Sequence, residues 1–161
     1  MSDRIPGTLP IWHPAFLVAT WFGSGLLPKI PGTWGSAAAL PFAWMIAWYG
    51  GPWALLGAAA IAFVAGVWAA EIYTRHAGIK DAGPIVIDEV AGQWLTLALF
   101  APDFVTYLAG FVLFRVADIV KPWPASWADR ALAGGMGVML DDIIAGVYAG
   151  LALYALLWVT G

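Results

Sequence analysis

Two acidic pairs carry the first chemical signal in this sequence. Asp88-Glu89 runs directly into Val90-Ala91-Gly92, and Asp141-Asp142 runs into Ile143-Ile144-Ala145-Gly146. In both, an acid precedes a glycine by four residues (Asp88 and Gly92, Asp142 and Gly146), so on a helix the two share one face. A glycine on that face lets a neighbouring backbone come close. The two patterns read as a short internal repeat, each at a helix start. A fifth acid, Asp118, follows Arg115 by three residues within FRVADIVKPWP (Phe114–Pro124), which also places the two on one face. Each feature has a plain structural explanation: acids at a helix start favour the dipole, and Arg115–Asp118 can be a simple ion pair. Brought together beside apolar segments, however, five carboxylates repel one another, and burying them is costly without a compensating charge. A hard divalent cation relieves both penalties. Oxygen-only ligands and the absence of cysteine point to magnesium rather than zinc. Asp88, Glu89, Asp118, Asp141 and Asp142 are therefore the candidate metal ligands. Asp88 and Asp142 are the candidate catalytic groups, as general base or as covalent nucleophile.

Two further segments could hold an anion. GSGLLPKIPGTWGS (Gly23–Ser36) combines glycines, hydroxyls and one lysine just before an apolar run. Glycines allow close backbone approach, and the free N–H groups of a following helix start can bind phosphate. The Gly-Lys-Ser/Thr ending of a Walker A loop is missing. Lys29, Thr33 and Ser36 are the candidate phosphate contacts here, with Arg115 and Lys121 supplying further cations. A capped helix start accounts equally well for the glycines and hydroxyls. His13 and His76 stand apart from all these groups and are read as structural.

These residues must be positioned by a scaffold that is mostly apolar. The 161 residues are 62% hydrophobic and 11% charged, where a soluble domain is nearer half apolar and a quarter charged. A soluble fold of this size would lack the polar surface to cover itself. The expected architecture is all-α: a polytopic membrane bundle of about five apolar helices, forming one domain over 1–161, with a polar site at one face. The charge-free gap between Lys29 and Glu71 holds two helices, near 34–49 and 53–70, parted by Tyr49-Gly50-Gly51-Pro52. A third apolar stretch runs from Val90 to Ala101, a fourth from Phe104 to Val120 and a fifth from Ile143 to Thr160. A lone span needs about 20 residues, so the third either begins near Ile85 or is a tilted or re-entrant element inside the bundle. Pro14–Phe22, flanked by Trp12 and Trp21, is too short to cross and suits an interfacial helix.

With five spans, Arg4, Lys29, Arg75, Lys80, Arg115, Lys121 and Arg130 all fall at or near one side, which the positive-inside rule makes cytoplasmic. Most acids lie there too. The formal net charge of −3 gives no sign of nucleic-acid binding. Without cysteine, thiolate zinc sites and a cysteinyl-phosphate intermediate are excluded. A spaced-aspartate pattern for a phosphoalcohol transferase is not visible, and acids gathered at one end suit a cation carrier or channel poorly.

The four polar segments, in this order, resemble the phosphatidylglycerophosphatase A family. The matching pieces are Gly23–Ser36, Asp88–Gly92 (DEVAG), Phe114–Pro124 and Asp129–Gly146 (DRALAGGMGVMLDDIIAG). The resemblance implies a magnesium-dependent, multi-pass enzyme of the bacterial inner membrane, whose substrate is phosphatidylglycerophosphate and whose product is phosphatidylglycerol.

Overall fold

The computed structural model describes residues 9–79 and 82–160. Arg4 and Lys80, both counted above toward the cationic face, lie outside the described residues. Among the described residues the fold is all-α: α1 (Pro14–Ala19), α2 (Pro31–Ala77), α3 (Ile87–Leu97), α4 (Phe104–Val120), α5 (Ala125–Ala131) and α6 (Gly134–Thr160). A short 3₁₀ turn, Ser24–Leu26, precedes α2.

The two helices expected near 34–49 and 53–70 both lie within α2, which breaks at Gly51 (φ 77°, ψ −174°), a conformation open only to glycine. The halves fold back on each other. A Cβ on Gly35 would sit 2.6 Å from the Val86 side chain, and one on Gly66 would sit 3.2 Å from the adjacent Ile87. A straight helix would hold those two glycines about 46 Å apart, at 1.5 Å per residue. α2 is thus a hairpin with both ends on the same side of the bundle.

α3 is the central element. Its eleven residues are buried on nearly every face, and it packs against α2, α4 and α6. That burial explains its shortness: the helix is enclosed by its neighbours and does not have to cross anything alone. α4 is also short of a full span, at 17 residues. The expectation of about five spanning helices is corrected here. Two helices, Pro31–Ala77 and Gly134–Thr160, are long and apolar enough to cross a membrane, and only 33% and 22% of their most apolar stretches are buried within the protein. A core helix of a soluble protein would be mostly covered. These instead expose Ile61, Val64, Leu151 and Trp158.

Two local expectations also change. α6 starts at Gly134, so Asp141 and Asp142 lie two turns inside a helix rather than at its start. The glycines before them serve close packing. A Cβ on Gly135 would collide with the Val67 carbonyl, and one on Gly137 with the Leu132 carbonyl. Glu71 of α2 accepts a hydrogen bond from the Gly135 amide at 2.7 Å and so caps this helix from outside. The interfacial helix expected over Pro14–Phe22 ends at Ala19. Trp21, Phe22 and Gly23 are left-handed (φ 46°, 54° and 91°), and Trp21 turns inward against Trp94 and Phe42. His13 caps α1 by accepting the Ala15 amide, and the His76 ring bonds the Ile72 carbonyl one turn back.

Candidate metal centre

The repeat seen in the sequence is a crossing point in space. A Cβ on Gly92 would lie 2.6 Å from the Asp142 carbonyl oxygen, and one on Gly146 would lie 2.7 Å from the Gly92 carbonyl oxygen. Thr96 ties the crossing, its hydroxyl donating to the Gly92 carbonyl at 2.9 Å with the Gly146 carbonyl at 3.3 Å. Any side chain at either glycine would force α3 and α6 apart. Because they touch here, the acids one turn earlier on each helix converge.

Asp88, Glu89 and Asp142 each offer a carboxylate oxygen within 4.8 Å of the others, which is the spacing a cation with shared ligands requires. Asp88, Asp118, Asp141 and Asp142 are all buried. Asp118 and Asp142 bear on Glu89 as like charges, and Asp88, Asp118 and Asp141 do so on Asp142. Like groups this close need a shared proton or a shared cation. Glu89 Oε2 and Asp142 Oδ2 are buried with no hydrogen-bond partner, an arrangement that is costly unless a ligand completes it. The donor set is oxygen only, so these residues fit magnesium.

The acids line a pocket of about 270 Å³, shared with Ile119, Lys121, Asp129, Gly137 and Val138. All five metal candidates named from the sequence are therefore brought together. Asp129 was missed. It sits on α5, where it pairs with Lys121 at 3.3 Å. The available signal was its place between Lys121 and Asp141, in a stretch bent back by Pro122 and Pro124. Those prolines lie between α4 and α5, and α5 brings Asp129 to the pocket.

The phosphate candidates divide. Arg115 pairs with Asp118 at 2.5 Å and approaches Glu89 at 3.8 Å, so the expected face-sharing pair forms and reaches a third residue. Gly32, in the first turn of α2, lies against both: a Cβ there would collide with Glu89 Oε1 and sit 3.1 Å from the Arg115 guanidinium nitrogens. This brings the N-terminus of α2, the positive end of its dipole, to the edge of the acid cluster. Thr33 is half-buried beside Gly32, and Lys29 is exposed just before it in a left-handed conformation (φ 75°). Ser36 lies one turn deeper, fully buried, its hydroxyl without a partner. Gly25 and Gly35 do not reach the pocket. They pack against Pro84 and Val86, at the approach to α3. Lys121 Nζ is 2.6 Å from Asp141 Oδ2 and turned into the pocket. Burial disfavours its ammonium form. The hydrogen bond to Asp141 and the charges of Asp141, Asp129 and Asp142 outweigh that and hold its pKa above the usual lysine value. Lys121 is therefore charged across the physiological range.

The sequence pattern of the family Phosphatidylglycerophosphatase A matches residues 17–157. The chain is 45% identical to Phosphatidylglycerophosphatase A of Escherichia coli (strain K12), over 95% of this chain and 89% of that protein. It is 36% identical to the Haemophilus influenzae protein of the same name, over 92% and 91%. It is also 38% identical to a Bacteroides thetaiotaomicron protein whose name proposes a phosphatidylinositol-3-phosphatase, over 97% and 98%. No solved structure matches the chain. The sequence match covers both glycine-crossed acid pairs and all the pocket residues, and the chain belongs to the phosphatidylglycerophosphatase A family.

Proposed function

We propose that the chain is a single membrane-embedded domain that hydrolyses phosphatidylglycerophosphate to phosphatidylglycerol and phosphate, using magnesium. The observation that carries this reading is the group of three carboxylates, Asp88, Glu89 and Asp142, converging within 4.8 Å in a family of lipid phosphatases. Asp88, Glu89 and Asp142 would hold the ion, with Asp118 and the Lys121-paired Asp141 completing the acidic wall around it. The bound metal would neutralise phosphate oxygens and acidify a water. A phosphomonoester dianion needs charge neutralisation more than a strong nucleophile.

The remaining steps belong to the chain. Arg115, Lys29, Thr33 and the first turn of α2 orient the phosphate, with Lys121 beside them. Asp142, with one oxygen buried and unpartnered, takes the proton of the attacking water. The water oxygen bonds to phosphorus as the ester P–O bond breaks, and the leaving alkoxide takes back from Asp142 the proton removed from water, giving the headgroup hydroxyl and inorganic phosphate. The acyl chains stay in lipid, against the exposed apolar faces of α4 and α6.

In the membrane, both arms of α2, together with α4 and α6, would form the lipid-facing shell around α3. The pocket would open on the cytoplasmic face of the bacterial inner membrane, where the cationic residues gather. A cation carrier is disfavoured because the Gly92–Gly146 crossing and Phe114 close the path directly below the acids. The deciding experiment is phosphate release from phosphatidylglycerophosphate by purified protein in detergent, with magnesium and then with EDTA. Release only with magnesium supports the reading; no release from a monodisperse sample defeats it. Running phosphatidylinositol-3-phosphate in parallel tests headgroup selectivity, since one relative is named for that lipid.

A further inference from the structure

We propose that Lys121 is a resident cation of the pocket: it fills the Asp129–Asp141 side in place of a second divalent ion and confines metal to the Asp88–Glu89–Asp142 side. The inference rests on reading the carboxylate cluster as a metal centre, and it assigns Lys121 a different task from phosphate binding.

The pocket has two sides with different needs. On the first, three acids from α3 and α6 converge, and Glu89 Oε2 and Asp142 Oδ2 are buried without partners. The cation that reaches this side is Arg115, at 3.8 Å from Glu89 Oε1. On the second, Asp129 and Asp141 face each other across the Lys121 ammonium, which is 3.3 Å from Asp129 Oδ1 and 2.6 Å from Asp141 Oδ2. A primary ammonium with three donors binds Asp129 Oδ1 and Asp141 Oδ2 at short range, while Asp141 Oδ1, turned away from it, is buried without a partner. The ammonium also occupies the space in which a bridging ion would have to sit.

The local backbone supports this placement. Lys121 closes α4 in a left-handed conformation (φ 48°) that side chains rarely adopt, and its amide bonds back to the Ala117 carbonyl. Pro122 then turns the chain toward α5, which supplies Asp129. One short turn thus delivers both the cation and one of its carboxylates. Shared-ligand metal sites pair two divalent ions at about 3.5–4 Å. Here a lysine replaces one member, with a fixed position and a single charge.

Removing the ammonium should leave Asp129 and Asp141 facing each other around a vacated space, in a pocket that Asp118 also lines, and oxygen ligands of this kind suit a divalent ion. The test is manganese stoichiometry on the purified full chain in detergent, read by loss of the free-ion electron paramagnetic resonance signal. Wild type is expected to bind one ion per chain, Lys121→Ala two, and Lys121→Arg one, because the guanidinium keeps the charge in place. Two ions bound by wild type would overturn the proposal even if Lys121→Ala failed to fold. A single ion bound by a monodisperse Lys121→Ala sample would overturn it as well. No ion bound by wild type would remove the carboxylate centre itself, and with it the premise.

Discussion

The two acid pairs look alike in the sequence and live in different surroundings. Asp88-Glu89 lies in the first turn of α3, a helix of eleven residues enclosed by its neighbours. There the unpaired amides of the helix start and the nearby start of α2 favour negative charge. Asp141-Asp142 lies two turns inside α6, a helix of 27 residues that mostly faces outward. At that depth the backbone amides are used within the helix, so the second pair depends on what lies across the pocket: Lys121 for Asp141, and for Asp142 the α3 acids with which it would share the proposed ion. The same motif is thus supported by backbone in one helix and by foreign side chains in the other.

The largest effect is expected where that dependence is greatest. Asp142→Asn should lower kcat by about 10³-fold, within the range for losing a general base, while the protein stays monodisperse in detergent. Asp88→Asn should fall by a similar factor. Retained turnover in Asp142→Asn alone would break the comparison by leaving the α6 pair outside the site.

The crossing between the two helices comes next. Gly146→Ala places a methyl against the Gly92 backbone, which cannot yield as a side chain could. Overpacking of this kind costs about 1–3 kcal/mol, so the melting temperature should drop, and activity with it as the acids separate. Gly57→Ala is the matched control: a Cβ there meets nothing within 4 Å, and the exchange should be neutral or slightly stabilising. Equal losses in the two variants would show that the crossing has no special role.

Arg115→Met should raise KM about tenfold, near the lower end for one charge-assisted hydrogen bond, with a smaller fall in kcat. If kcat falls and KM holds, Arg115 orders Glu89 and Asp118 rather than the phosphate. The smallest effect lies far from both pairs. Asp103 caps α4 by accepting the Thr106 amide at 2.9 Å. Its bonds to the Thr106 side chain and amide hold its pKa below the usual aspartate value. A depressed carboxylate pKa means that the cap stabilises above the unfolded-state value and is lost as pH falls through the folded-state value. Asp103→Ala should cost about 1 kcal/mol or less, abolish that acid-side dependence of thermal stability and leave turnover unchanged.

The parts of this architecture that the sequence displays are those carried by chemical type. Five acids in a chain with few charges, Arg115 three residues before Asp118 and glycines four residues after two acids each constrain space through local geometry alone. What the sequence concealed came from packing. The glycines at 134–137 look like a loop because glycine usually marks one. Here Val67, Glu71 and Leu132 press so close that only glycine leaves room for a helix. Asp129 was hidden because its distance to Lys121 is set by the path of α5, which no local spacing encodes. Trp21 appeared to face the interface, and its inward turn depends on Trp94 and Phe42, both remote in sequence.

The fold-back of α2 at Gly51 also bears on the order in which the chain is made. Every acid of the pocket, from Asp88 to Asp142, follows the hairpin in sequence. A chain emerging from the ribosome therefore completes a pair of arms whose charges, Glu71 and Arg75, lie only at the end of the second, already turned to leave both ends on one side, before its first pocket carboxylate appears. The residues most expensive to place near lipid thus arrive last, beside a wall that is already standing. On this view Gly51 matters more to biogenesis than to turnover: a bulkier residue there would lower the yield of inserted protein while the molecules that do insert keep their specific activity.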